Sequence, residues 1–199
     1  MINRTMTNKT YGLFVMNSFK FSICVFCGSR FGKNKEFKKA AEETGQMLAK
    51  NRWRLVYGAG DIGLMGALAK SCQNNGGETF GVIPEHLLQK EVGKTDLTSF
   101  IVTENMHDRK KIMFTNSDVI VTLPGGAGSL DEFFEILTWT QLGINKKPVY
   151  LLNIDGYWDP LIHLIEHMIK QDFADSDLLG KFQITESVAD LETSLQALH

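Results

Sequence analysis

The sequence predicts a doubly wound α/β fold, a parallel sheet covered by helices on both faces in three layers. Three observations predict it. Short apolar runs alternate with segments of helical period along most of the chain. The runs are continuous, so neither face of those strands meets water, as a covered parallel sheet requires. The length of 199 residues suits one domain and is short for two of ordinary size.

Residues 1–20 mix Asn, Thr, Lys and Met around Tyr11 to Met16, an apolar patch too brief for a targeting or membrane segment. They are expected to form a tail, with Met16 a candidate alternative start, ahead of a single domain over 21–199. Phe21 to Phe26 is an apolar run closed by Gly28 and Ser29, which reads as a buried strand and its turn. Over Glu36 to Lys50, Phe37, Ala40, Ala41, Thr44, Met47 and Leu48 recur at steps of three and four, the period of an amphipathic helix. The unit repeats with strand Trp53 to Tyr57, turn Gly58 to Gly60 and helix Leu64 to Cys72.

Thr79 to Ile83 is the third strand, and the polar stretch Gln89 to Ser99 is an exposed loop. Phe100 to Val102, a helix from Asn105 to Asn116 and the strand Val119 to Leu123 follow. A Gly-rich turn leads into helix Leu130 to Leu142, and Pro148 opens strand Val149 to Leu152. The chain closes with helices Pro160 to Gln171 and Val188 to Leu198.

With 43% hydrophobic and 22% charged residues, the composition lies far from that of chains that stay disordered. Lys and Arg total 21 against 23 Asp and Glu, a net charge of −2. That balance excludes a general positive field for nucleic acid, so a phosphate ligand needs a local site. Three cysteines, an odd number without a secretory segment, imply reduced thiols in a soluble cytoplasmic protein with no membrane partner.

Ligands of open parallel sheets bind beyond the carboxyl ends of the strands. The most informative turn there is Leu123-Pro124-Gly125-Gly126-Ala127-Gly128-Ser129-Leu130-Asp131-Glu132. Its glycines let backbone approach a ligand, and the helix start offers N–H groups to an anion such as phosphate. A tight turn without a ligand explains the composition as well. Asp131 and Glu132 are expected in the first helical turn, where an acid complements the dipole. Neighbours diverge by about 100° on a helix, so at most one should face the cleft, and the residues alone do not choose.

Gly58-Ala59-Gly60-Asp61-Ile62-Gly63 matches the dinucleotide pattern G-x-G-x-x-G, but Glu78 precedes its strand and is at the wrong end to hold a ribose. Met106 to Lys111 clusters positive charge, with Arg109 able to grip oxygens bidentately; a solvated helix face is the bland account. His163-Leu164-Ile165-Glu166-His167 fits H-x-x-E-H without a third ligand, so no metal is expected. Cys24 and Cys27 match C-x-x-C, yet they lie in an apolar strand and not at a helix start, which favours two buried thiols over a redox pair.

Taken together, Cys27-Gly28-Ser29, Gly60-x-x-Gly63-Leu64-Met65-Gly66, Met106-His107-x-Arg109-Lys110 and Pro124-Gly125-Gly126-x-Gly128-Ser129-x-x-Glu132 resemble the LOG (Lonely Guy) family. These are cytokinin-activating phosphoribohydrolases formerly labelled lysine decarboxylases. The likeness runs from Phe21 to Phe173, including Thr138-Trp139-x-Gln141-Leu142-Gly143 and Leu152-Asn153-x-Asp155-Gly156-Tyr157.

The resemblance implies a Rossmann-like fold, a homodimer, and hydrolysis of the N-glycosidic bond of adenosine 5′-monophosphates, plain or N6-substituted. It implies Arg109 and Glu132 as catalytic residues, so it selects Glu132 over its neighbour. Substrate contacts are implied for Glu91, Lys110, Gly125, Gly126, Ala127, Gly128, Ser129, Leu130, Asp131 and Thr138, with no cofactor and no metal. Ser129 stands where the family usually has Thr, and Ala59 where a middle Gly is frequent. The chemistry agrees with the residues: a carboxylate stabilises the cationic sugar of the transition state or activates water. The competing readings are an NAD(P)-binding oxidoreductase on Gly58 to Gly63 and a nucleotide-binding module without catalysis. No lysine is singled out for pyridoxal chemistry.

Overall fold

A computed structural model describes residue 19, residues 21–88, residue 93 and residues 96–198 of the chain. The expected tail over 1–20, apart from Phe19, and most of the expected loop at Gln89 to Ser99 lie outside the described residues. Seven strands form the sheet: β1 (Ser22–Phe26), β2 (Arg54–Tyr57), β3 (Thr79–Pro84), β4 (Ser99–Thr103), β5 (Val119–Thr122), β6 (Val149–Leu152) and β7 (Gln183–Thr185). Their order is β4-β3-β2-β1-β5-β6-β7 and every pairing is parallel. The chain therefore winds outward from β1 in one direction, returns, and winds outward from β5 in the other. The crevice between the carboxyl ends of β1 and β5 is the switch point of the sheet.

Side chains alternate across each strand, and both faces are dry. From β1, Ile23 and Val25 enter one apolar layer with Leu48, Leu68 and Leu191 of three helices. Those helices are α1 (Lys35–Lys50), α2 (Gly63–Asn74) and α7 (Val188–Gln196). Cys24 and Phe26 enter the opposite layer with Met113, Phe133, Ile136 and Ile165. These come from α4 (Met106–Thr115), α5 (Ala127–Gln141) and α6 (Asp159–Lys170). Each fully buried Leu, Ile or Phe contributes roughly 1.5–3 kcal/mol of transfer free energy, so the three layers hold together without a disulfide. A short α3 (Glu85–Leu88) follows β3.

Helix starts follow their caps. The Asn34 side chain accepts from the Glu36 amide at 3.0 Å, and that of Asn105 accepts from the Asp108 amide at 2.9 Å; such caps hold one otherwise orphaned donor. Helix α5 starts at Ala127, not Leu130, and no side chain caps it. Asp131 and Glu132 therefore stand in its second turn, not its first. Strand β7 was not expected, because its three residues at the sheet edge, two of them exposed, leave no apolar run to read. Among the described residues no helix is long and apolar enough to cross a membrane.

Candidate active site

A cleft of about 460 Å³ opens at the switch point. Its walls come from the turns after β1, β5 and β6 and from the starts of α2, α4 and α5. Gly125, Gly126, Ala127, Gly128 and Ser129 form one wall. The turns after β1 and β5 are tied together by the Gly28 amide, which donates to the Pro124 carbonyl at 3.0 Å. From beyond β6, the Tyr157 hydroxyl donates to the Gly125 carbonyl, and the Tyr157 ring meets Phe37 edge-on at 5.0 Å.

Packing explains one of the three glycines in the turn after β5. A side chain on Gly125 would collide with Ser129, which is buried against it. A Cβ on Gly126 or Gly128 would meet nothing within 4 Å. Packing within the described residues does not require glycine at those two positions. The N–H groups of Ala127, Gly128 and Ser129, at the uncapped start of α5, have no acceptor among the described residues. Orphan amides beside open space and a helix dipole make an anion site.

The second glycine-rich turn behaves differently. The amides of Leu64 and Met65 at the start of α2 donate to the Gly28 carbonyl at 3.0 and 3.4 Å. That helix start is thus closed by the protein's own backbone and is not available to a pyrophosphate. A Cβ on Gly63 would collide with Ser29 and Arg30, one on Gly66 with Asp61, and one on Gly58 with the Arg109 guanidinium. Packing thus accounts for Gly58 and Gly63, two of the three glycines of the pattern G-x-G-x-x-G.

Arg109 is 5% exposed, so the solvated-face account of its helix does not hold. Its Nε donates to the Val82 carbonyl at 3.1 Å and its Nη2 to the Gly58 carbonyl at 2.8 Å; Nη1 lies 3.8 Å from the Met106 sulfur. The guanidinium is fixed at the cleft wall by the ends of β2 and β3. Lys110 is 9% exposed and pairs with Asp131 and Glu135, each at 3.0 Å. Burial pulls the Lys110 ammonium down, but its hydrogen bonds to Asp131 and Glu135 outweigh that and hold it above the ordinary lysine value.

Asp131 and Glu132 both border the cleft, where at most one was expected. Their carboxylates differ in setting: Asp131 turns to Lys110, whereas Glu132 lies near enough to Cys27 for its charge to raise that thiol further, after burial. Leu130 packs against the apolar layer under α5. Thr138 is exposed two turns farther along α5 and does not line the cleft. Glu91 lies outside the described residues.

The sequence reading singled out no cleft role for Arg30, Phe31, Phe37, Met106 or Tyr157, all of which line it. Their shared signal is position: each lies in or just past the segment following a strand's carboxyl end. His163 and His167 are exposed, and no group of three metal-ligating side chains occurs among the described residues. Cys24 and Cys27 face opposite apolar layers as free thiols.

A family model described as "possible lysine decarboxylase" matches residues 65–195. The chain is 41% identical over 174 residues to a probable cytokinin riboside 5′-monophosphate phosphoribohydrolase of Oryza sativa subsp. japonica, covering 87% of this chain and 76% of that one. It is 39% identical over 175 residues to a cytokinin riboside 5′-monophosphate phosphoribohydrolase of Arabidopsis thaliana, covering 88% and 77%. Among solved structures, the molybdenum cofactor carrier protein of Chlamydomonas reinhardtii superposes with a TM-score of 0.66 at 23% identity over 90% of this chain and 98% of that one. That likeness is one of fold.

Proposed function

Because this chain belongs to the LOG phosphoribohydrolase family, whose model carries the lysine decarboxylase description, we propose that it hydrolyses the N-glycosidic bond of adenosine-type riboside 5′-monophosphates. Water adds to C1′ of the ribose as the C1′–N9 bond breaks. The base leaves with the bonding electron pair and takes a proton; ribose 5-phosphate is the other product. The observation that carries this reading is the pair of glycines, Gly126 and Gly128, that packing does not require, beside unpaired amides at the start of α5.

The 5′ phosphate takes the amides of Ala127, Gly128 and Ser129. That contact is remote from the reacting bond and orients the sugar for it. Glu132, one helical turn beyond, lies within reach of the ribose, where its carboxylate stabilises the oxocarbenium-like transition state or takes the proton of the attacking water. Arg109, held by two carbonyls, keeps a fixed positive charge beside the base as negative charge develops on it. Lys110 acts through Asp131 and Glu135, joining α4 to α5 so that Arg109 and Glu132 keep their separation. The apolar side chains of Leu64, Met65, Leu87 and Met106 in the cleft wall support an apolar N6 substituent, so the N6-isopentenyl nucleotide is the preferred substrate over AMP.

Two finer proposals go with this. The exposed Leu142, Ile144 and Phe173, at 68%, 64% and 88%, are apolar surface that a second copy of the chain would cover. A homodimer is the expected mass in sedimentation equilibrium. Three free thiols agree with a reducing, cytoplasmic setting.

The test incubates pure protein with AMP, N6-isopentenyl-AMP and N6-isopentenyl-adenosine and separates free base from nucleotide. Base should appear from the monophosphates, fastest from the isopentenyl form, and slowly from the riboside. Release from none of them sinks the reading. Arg109→Ala and Glu132→Gln should each lower kcat by at least ~100-fold while the circular dichroism spectrum is kept; full activity in either removes that residue from the mechanism.

A further inference from the structure

The hydrolase reading, on which this inference rests, asks the cleft to hold a phosphate dianion beside two carboxylates. The cations assigned so far do not balance it. Arg109 keeps its charge, but the Val82 and Gly58 carbonyls pin it where the base is proposed to lie, and the charge of Lys110 is matched by Asp131 and Glu135. The start of α5 supplies only about half an elementary charge. A dianion there needs a further full positive charge.

Arg30 is placed to give it. It is exposed, lines the cleft, and has no side-chain acceptor among the described residues. Its turn is fixed against the phosphate turn: Gly28 donates to Pro124 at 3.0 Å, and a Cβ on Gly28 would meet the Arg30 carbonyl oxygen at 3.2 Å and the Gly125 Cα at 3.3 Å. That crowding leaves little slack between the two turns, so the long Arg30 side chain rises from a backbone already seated beside Gly125. A guanidinium presents paired donors that match two phosphate oxygens, and charge-assisted bonds of this kind are among the strongest available at a surface.

We propose that Arg30 closes onto the 5′ phosphate of the bound nucleotide and is a specificity-determining residue for the reaction, setting the preference for the monophosphate over the riboside. The amides of α5 fix where the phosphate sits; Arg30 rewards its charge. A neutral 5′ hydroxyl gains nothing from Arg30, so the discrimination lies in binding of the monophosphate and not in the chemical step.

The test compares wild type, Arg30→Ala and Arg30→Lys. For N6-isopentenyl-AMP, Arg30→Ala should raise KM by about 10- to 100-fold with kcat nearly kept. The riboside should react as in wild type, and Arg30→Lys should fall between, keeping charge without the paired donors. Added salt should raise the wild-type KM more steeply than that of Arg30→Ala, since an exposed charge is screened. Calorimetric titration with ribose 5-phosphate should show the same loss of affinity without any turnover. Equal ribose 5-phosphate affinity and equal monophosphate KM in wild type and Arg30→Ala overturn the proposal. Wild type that binds ribose 5-phosphate but releases no base overturns the hydrolase reading alone, and the titration still decides Arg30. Wild type that releases base but does not bind ribose 5-phosphate leaves the hydrolase reading standing, and the monophosphate KM of Arg30→Ala then decides the proposal.

Discussion

Gly58 and Arg109 lie 51 positions apart and are held in one contact: the Gly58 carbonyl accepts from Nη2, and a Cβ on Gly58 would collide with that same nitrogen. Because the colliding atom is the end of a flexible side chain, Gly58→Ala should leave the sheet intact and push the guanidinium aside. A misplacement of about 1 Å near the chemistry can cost about 100-fold, so kcat/KM for N6-isopentenyl-AMP should fall by roughly that factor while Tm drops only a few degrees. Unchanged kcat/KM would mean that the position of Arg109 does not matter. The same contact explains what the sequence could and could not disclose. Gly58 is visible as a turn glycine after a strand, but its reason is a side chain supplied by another element. For the same cause the run Met106 to Lys111 reads as a charged surface. Val82, Gly58, Asp131 and Glu135, which draw Arg109 and Lys110 inward, all lie at least 21 positions away along the chain.

Helix α5 carries the site, and its start is where local reading fails. Glycine has low helix propensity, so Ala127-Gly128-Ser129 reads as a turn, yet the helix begins at Ala127. The shift moves Asp131 and Glu132 into the second turn and leaves three amides of the first turn for a ligand. Gly128 is helical, without positive φ, and a Cβ there meets no protein atom. Replacing it by alanine restricts the unfolded chain at no folded-state cost, which should stabilise the protein by about 0.4–1 kcal/mol. The added methyl would stand where the phosphate is proposed to lie. Gly128→Ala is therefore expected to raise the urea midpoint and to raise KM for the monophosphate at least tenfold, two effects of opposite value from one methyl group. A variant that is more stable and fully active would show that the space before Gly128 is not used. The long buried helices and strands were legible because apolar periodicity reports packing on a face. β7 was not, since a three-residue edge strand holds its place through β6 and has no apolar pattern of its own.

At the scale of the whole molecule, most of the groups among the described residues whose protonation changes on folding lie on the alkaline side. Burial raises the thiol of Cys24, then the charge of Glu132 adds to it; the same two causes in the same order raise Cys27. Burial alone pushes Cys72 up to about 12. Burial also raises the phenols of Tyr57 and Tyr150, and Lys110 is held above its ordinary value. Lys147 and Arg54 oppose this, both lowered chiefly by burial, but they are fewer than the groups that are raised. A group raised in the folded state keeps its proton there while the unfolded chain loses it, so stability falls as pH rises above the unfolded value. For a thiol that value is about 8.5. Between pH 7.5 and pH 10 each buried cysteine should lose roughly 2 kcal/mol, so the three together remove about half the stability of an ordinary domain. Urea unfolding under reducing conditions should therefore show a midpoint nearly level up to pH 8 and falling steeply to pH 10. Replacing Cys72 by alanine should lower the midpoint at neutral pH through the cavity it leaves, yet make the alkaline fall shallower by about a third. The two effects separate packing from protonation. A midpoint level from pH 7.5 to pH 10 in the wild-type protein would mean that the thiols ionise as readily in the fold as outside it, which their burial between the sheet and its helices does not allow.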